Sequence, residues 1–177
     1  MFDAYEPAIE SRVEKRRRSL VDQLDADELR TFEVFDHVAE ALAAEAQTPA
    51  AQVNLMGVDH HLVLDARRVN AESLPRKNSL CNYPVADGKT FVVENALEEP
   101  RLEDHPNVVG KPHVRFYVSI PLVVDDVPVG SVCAVGSKAH SLEWTSRPAL
   151  FRMVGLLERL LEARIHDEAG RDNAFEL

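Results

Sequence analysis

The chain has 177 residues, of which 45% are hydrophobic and 28% charged, with 7 Gly and 10 Pro. That balance excludes collagen-like, low-complexity and wholly disordered chains and suits one globular domain with a complete core. The formal charge is −10; the first 18 residues carry five basic side chains against four acids, so the remainder holds −11, a field that repels a phosphate backbone.

No window approaches the roughly 18 uninterrupted apolar residues of a bilayer span, and MFDAYEPAIESRVEKRRR lacks the apolar centre of a secretory signal. Neither nucleic acid nor a membrane is expected as a partner, and a cytoplasmic location is expected. Cys81 and Cys133 show no CxxC spacing or Cys/His clustering, which argues against zinc, iron-sulfur and disulfide scaffolds and suits reduced thiols.

From Pro7 to Leu24, Ile9, Val13, Leu20 and Leu24 form one thin apolar stripe on a charge-rich helix. The stripe is expected to pair with another helix, of this chain or of a second copy, rather than to form a core, and the Lys15–Arg18 run to be a solvated face. Asp25 is placed to cap a second helix carrying Leu29, Phe32, Phe35, Val38 and Leu42. Thr48-Pro49 ends helical structure, and AQVNLMGVDHHLVLDARR alternates as two strands around a turn near Asp59-His60.

Asn78–Val85 is short and mixed, Asp87-Gly88 is a turn signal, and TFVVEN reads as a strand. The Pro-rich stretch from Ala96 to His113 predicts a short helix within an ordered covering loop. VRFYVSIPLVV and VPVGSVCAVG bracket Asp125-Asp126 as a hairpin of central strands. Thr145 is placed to cap a last helix with Pro148 in its first turn. Its apolar positions from Leu150 to Ile165 fill more than half its circumference, more than one sheet covers, so a second helix or a twin in a dimer is expected. After His166 the chain turns polar, and fraying is expected.

These elements define an α+β domain: a central antiparallel sheet with the N- and C-terminal helices on one face and covering loops and small helices on the other. The expected divisions are an N-terminal dimerisation or linker helix over 1–26, the domain over 27–169, and a flexible tail over 170–177.

Three pieces of sequence then stand out: Leu80-Cys81-Asn82-Tyr83; Pro100-Arg101 through Asn107 and Gly110 to Arg115-Phe116-Tyr117; and Pro121-Leu122 with Gly130-Ser131-Val132-Cys133. In order and spacing they resemble the second half of bacterial GAF domains, related to PAS-like sensor domains and found ahead of histidine kinases and diguanylate cyclases. The resemblance spans about Asp27 to Ala169, weakest in the first helix. It implies a non-enzymatic sensory or regulatory domain in signal transduction, with a small-molecule pocket between sheet and covering loops, a homodimer through the terminal helices, and a signalling-protein partner. Members that bind cyclic nucleotides follow Phe with an Asp-Glu pair where this chain has Ile120-Pro121. Bilin-binding members place His after the chromophore cysteine, where this chain has Asn82 or Ala134. Both ligand classes are therefore disfavoured, and the ligand and any cofactor stay unassigned.

Ligand sites place a few oriented polar groups within an apolar wall. Cys81, Tyr83, Thr90, Asn95, His113, Phe116, Tyr117 and Ser119 are the candidate ligand-binding residues, and Arg115 with Asp104 a candidate ion pair holding the covering loop. His60 and His61 point to opposite faces of a strand and are a poor joint metal site, so no metal is expected. His105 and His113, flanking the covering loop, are candidates for an anionic ligand or a haem iron.

One enzyme reading remains beside the sensor: Cys81 and Cys133 as the thiols of a reductase resembling free methionine sulfoxide reductases, which are single GAF domains. A GAF scaffold without ligand, acting only in dimerisation or interaction, is the third reading.

Overall fold

The structure, a computed structural model, describes residues 11–67, 73–143 and 147–174. Helix α1 (Arg12–Val21) starts at Ser11, whose Oγ accepts from the Glu14 N–H at 3.1 Å. Of its stripe, Leu20 and Leu24 are buried in the core of this same domain with Val21 beside them, Val13 is 52% exposed, and Ile9 lies outside the described residues. The basic run is not wholly solvated, because Arg17 is 2% exposed and ion-pairs with buried Glu14. One turn of helix carries both onto the inward side, a placement that charge composition alone conceals.

The helix expected after Asp25 is two helices, α2 (Ala26–Leu29) and α3 (Val34–Glu45). Asp25 Oδ1 does cap α2, accepting from the Asp27 and Glu28 N–H groups at 2.9 and 3.1 Å. Thr31 then ends it: its Oγ1 donates to the Glu28 carbonyl at 2.7 Å, and three-residue backbone bonds from Thr31 and Phe32 tighten the last turn.

Six strands form one sheet in the order β3-β2-β1-β6-β5-β4, with every pairing antiparallel. They are β1 (Ala50–Met56), β2 (His60–Arg67), β3 (Ser73–Pro75), β4 (Phe91–Val93), β5 (Phe116–Val124) and β6 (Val127–Gly136). The edge strand β3 and the 3-10 turn Arg76–Asn78 after it were not anticipated from the sequence. The β5–β6 turn is made by Asp125 and Asp126, with φ of 48° and 61°, the left-handed pair that a two-residue hairpin of matching twist requires. At the sheet centre β6 passes so close to β1 that a Cβ on Gly130 would lie 2.0 Å from the Asn54 carbonyl oxygen.

Strand alternation divides the core. Val53, Leu55, Phe116, Val118, Ile120, Val132 and Ala134 face α3 and α6 (Pro148–Ala174), while Met56, Tyr117 and Cys133 face the other way, beneath α4 (Asn82–Asp87) and the covering loop with α5 (Pro106–Val109). Helix α6 buries Leu150, Val154, Leu157, Leu161 and Ile165 and continues past His166 to Ala174. The expected cap Thr145 lies outside the described residues. The layering is the one expected: an α+β domain with terminal helices on one face and small helices and loops on the other.

Candidate functional site

The site grows from a run of polar positions on the loop-covered face. In β1, Gln52 and Asn54 alternate with Ala51, Val53 and Leu55, so both point away from the helices, and the β1–β2 register shifts at Val53/Asn54. Opposite Gln52 in register lies Cys133, and opposite Asn54 lies Ser131. Tyr117 and Ser119 of β5 share this face, and His61 of β2 turns inward while His60 is exposed. The 3-10 turn leads into Ser79, Leu80 and Cys81, which close the space from above.

The result is a cavity of about 390 Å³ whose walls include Gln52, His61, Ser79, Cys81, Tyr117 and Cys133 among apolar residues such as Leu74, Leu80, Val114 and Val135. The covering loop is fastened over it. His105 Nδ1 accepts from the Asn107 N–H at 3.1 Å at the start of α5, and Asn107 Nδ2 donates to the Asn78 carbonyl at 3.2 Å. Arg115 Nη1 donates to the Val108 and Val114 carbonyls at 2.8 and 2.9 Å, so backbone oxygens carry the anchoring expected of a pairing with Asp104. Burial lowers His105 to a pKa of about 4, which keeps this capping imidazole neutral.

The thiols meet in the cavity floor with their sulfurs 3.5 Å apart. Asn54 Nδ2 and Tyr117 Oη both donate to Cys81 Sγ, at 3.4 and 3.3 Å. The hydrogen bond from Cys133 holds the Cys81 thiol well below the usual range, with the nearby His61 imidazole and Tyr117 adding to it, against burial that works the other way. Cys133 is pushed up, by the same bond first and by burial second, and burial raises Tyr117. His61 Nδ1 is paired with Ser79 Oγ at 2.9 Å, but its buried Nε2 has no hydrogen-bond partner among the described residues, and neither has Asn54 Oδ1 beneath the thiols.

Of the residues picked from sequence, Cys81 and Tyr117 line the cavity, and Cys133 of the thiol reading lines it too. Ser119 is fully buried on the same face, opposite Cys133 in register, without being part of the lining. The others lie elsewhere. Phe116 is one position out of phase with Tyr117 and stacks on His140 in the helix-side core, ring centroids 4.0 Å apart. Tyr83 packs on Phe91 and donates from its hydroxyl to the Arg101 carbonyl at 3.0 Å. Thr90 is half-buried just ahead of β4, and His113 is exposed with φ of 58°. Asn95 borders a separate open groove with Glu94, Glu98 and His140. Gln52, Asn54, His61 and Ser79 were missed, although polar residues at every second position of a buried strand were a readable sign of the first two.

The GAF domain model matches residues 30–157, and the chain belongs to the GAF domain family. Among curated proteins it is 31% identical over 157 residues to a cyclic di-GMP phosphodiesterase of Pseudomonas aeruginosa, covering 86% of this chain and 26% of that protein. The chain thus spans about a quarter of that relative's length. Among solved structures it is similar to the GAF domain of an Acinetobacter phosphoenolpyruvate-protein phosphotransferase (TM-score 0.55, 13% identity, 93% of this chain and 99% of that one). It is also similar to a type II free methionine-R-sulfoxide reductase of Thermoplasma acidophilum (TM-score 0.54, 10% identity, 81% and 96%). Both likenesses bear on the fold.

Proposed function

We propose that this chain is a non-enzymatic regulatory GAF domain that takes a small polar organic molecule into the cavity over the Cys81–Cys133 floor. The observation that carries this reading is His61 Nε2, a buried polar atom without a hydrogen-bond partner among the described residues, in the wall of an otherwise largely apolar space. A volume of about 390 Å³ sits toward the small end of ordinary ligand pockets and favours a metabolite over a large cofactor.

The exit for the signal is protein contact. Helix α6 carries a second stripe, Ala149, Met153, Leu156, Leu160 and Ala163, in alternating steps of four and three beside its buried one, and Leu156 is 53% exposed. That spacing is the one a coiled-coil seam uses; Met153 and Leu160 also pack partly on the domain's own core, and exposed Leu156 supports a homodimer through α6. The relative's printed activity makes a cyclic di-GMP enzyme the output we favour, in the cytoplasm; no helix among the described residues is long and apolar enough to cross a membrane.

The test is a thermal-shift screen of small polar metabolites at millimolar concentration. A binder is expected to raise the Tm of the wild type and to fail with His61→Leu; a panel without any stabilising compound contradicts the reading. The thiol-reductase reading draws on one observation, the 3.5 Å sulfur approach. Turnover of free methionine sulfoxide that is lost in Cys81→Ser would replace the sensor reading with it.

A further inference from the structure

The cavity floor holds more sulfur chemistry than a binding site needs. Cys81 and Cys133 come from different elements, the segment before α4 and the central strand β6, yet their sulfurs lie 3.5 Å apart. The groups within 3.5 Å of Cys81 Sγ among the described residues, Asn54 Nδ2, Tyr117 Oη and the other thiol, can each give it a hydrogen bond, and no carboxylate is among the described residues lining the cavity. This favours an anionic sulfur on Cys81 and leaves Cys133 as the protonated partner.

We propose that Cys81 and Cys133 are a peroxide-responsive dithiol, Cys81 being the attacking and Cys133 the resolving sulfur. This goes beyond ligand binding: it is a covalent input at the same cavity. The Cys81 thiolate attacks one oxygen of hydrogen peroxide; an S–O bond forms, the O–O bond breaks, and the departing hydroxide takes a proton to become water. Cys133, losing its proton, then attacks the sulfenic sulfur; the S–S bond forms and the S–O bond breaks, releasing a second water. Two thiols are oxidised by two electrons and one peroxide is reduced, and a dithiol reductant reverses the change. Closing the sulfurs from 3.5 Å to about 2.05 Å draws the Ser79–Cys81 segment toward β6. That segment follows Arg76, which grips Glu14 of α1, so oxidation reaches a terminal helix.

The test oxidises the reduced full chain with one equivalent of hydrogen peroxide, alkylates it under denaturing conditions and measures intact mass and peptides. The expected result is loss of two hydrogens, a Cys81–Cys133 linked peptide and reversal by dithiothreitol. Cys133→Ser should stop at a Cys81 sulfenic acid trapped by dimedone. Two free thiols in the wild type after excess peroxide, or a link between chains instead of within one, would overturn the proposal. Neither outcome depends on whether a metabolite binds, and the wild-type measurement needs no variant to fold.

Discussion

Glu14 of α1 and Arg76 of the 3-10 turn form a buried ion pair across 62 positions of sequence, Arg76 Nη2 donating to Glu14 Oε2 at 3.1 Å. Arg17 shares the same carboxylate and donates from Nη2 to the Val85 carbonyl at 3.2 Å, while Arg76 also donates to Gly57 O at 2.8 Å and to Asn82 Oδ1 at 3.0 Å. One carboxylate therefore ties the terminal helix to both segments that frame the cavity wall.

Removing that carboxylate leaves two guanidinium groups buried without their counter-ion. Glu14→Ala should cost about 3–5 kcal/mol, read as a lowered midpoint in urea. Burial works to raise Glu14, but the hydrogen bonds and charges of Arg76 and Arg17 outweigh it and hold the carboxyl below its ordinary value. Its stabilisation is therefore complete above the unfolded carboxyl value and is lost as pH falls through the lower folded one. A stability-pH curve of the variant should lack that acid limb.

His105 gives a second, separate limb. Its folded pKa of about 4 lies below the usual 6.5, so the unfolded chain takes up a proton that the folded one refuses. Stability is full above about 6.5 and declines as pH drops toward 4. His105→Asn keeps an acceptor for the Asn107 N–H and should flatten the curve over that interval.

The architecture was readable because its signals are local: alternation in β1 and β2, the β-branched runs of β5 and β6, the Asp125-Asp126 turn, the Asp25 cap. The buried face of α1 was not, because its decisive residues are Glu14 and Arg17. Charged residues on a helix read as solvent-facing until Arg76, distant in sequence, supplies the partner. Within the site, Phe116 was misplaced by a single step of strand phase. Setting that phase needs the sheet register, which pairs Tyr117 with Val135 and puts both on the side of Cys133. The pairing of His61 Nδ1 with Ser79 Oγ, which also accepts from the Cys81 backbone N–H at 3.2 Å, depends on the 3-10 turn, which no local pattern announced.

The strand crossing at Gly130 should be intolerant. Gly130→Ala sets a Cβ against the Asn54 carbonyl, backbone that cannot swing away, and should destabilise by at least about 3 kcal/mol. Gly136→Ala, where the nearest atoms are side-chain carbons at 3.6 and 3.8 Å, should stay within about 1 kcal/mol of wild type. Thermal melts of the pair check the contrast.

Two adjacent leucines on α6 should separate folding from assembly. Leu157 is fully buried, and Leu157→Ala should cost about 2–5 kcal/mol. Leu156→Glu, on the half-exposed seam, should leave the chain folded by circular dichroism and convert a dimer to a monomer in sedimentation. A wild-type monomer at high concentration would remove the seam's role.

The most direct measurement is native mass spectrometry of the reduced protein as purified and after addition of the best stabiliser from the metabolite screen. The expected spectrum is a dimer carrying one small molecule per chain, with the added mass absent from His61→Leu. A protein that stays bare in both samples, or that retains the added mass in His61→Leu, would contradict the cavity as the domain's sensing site.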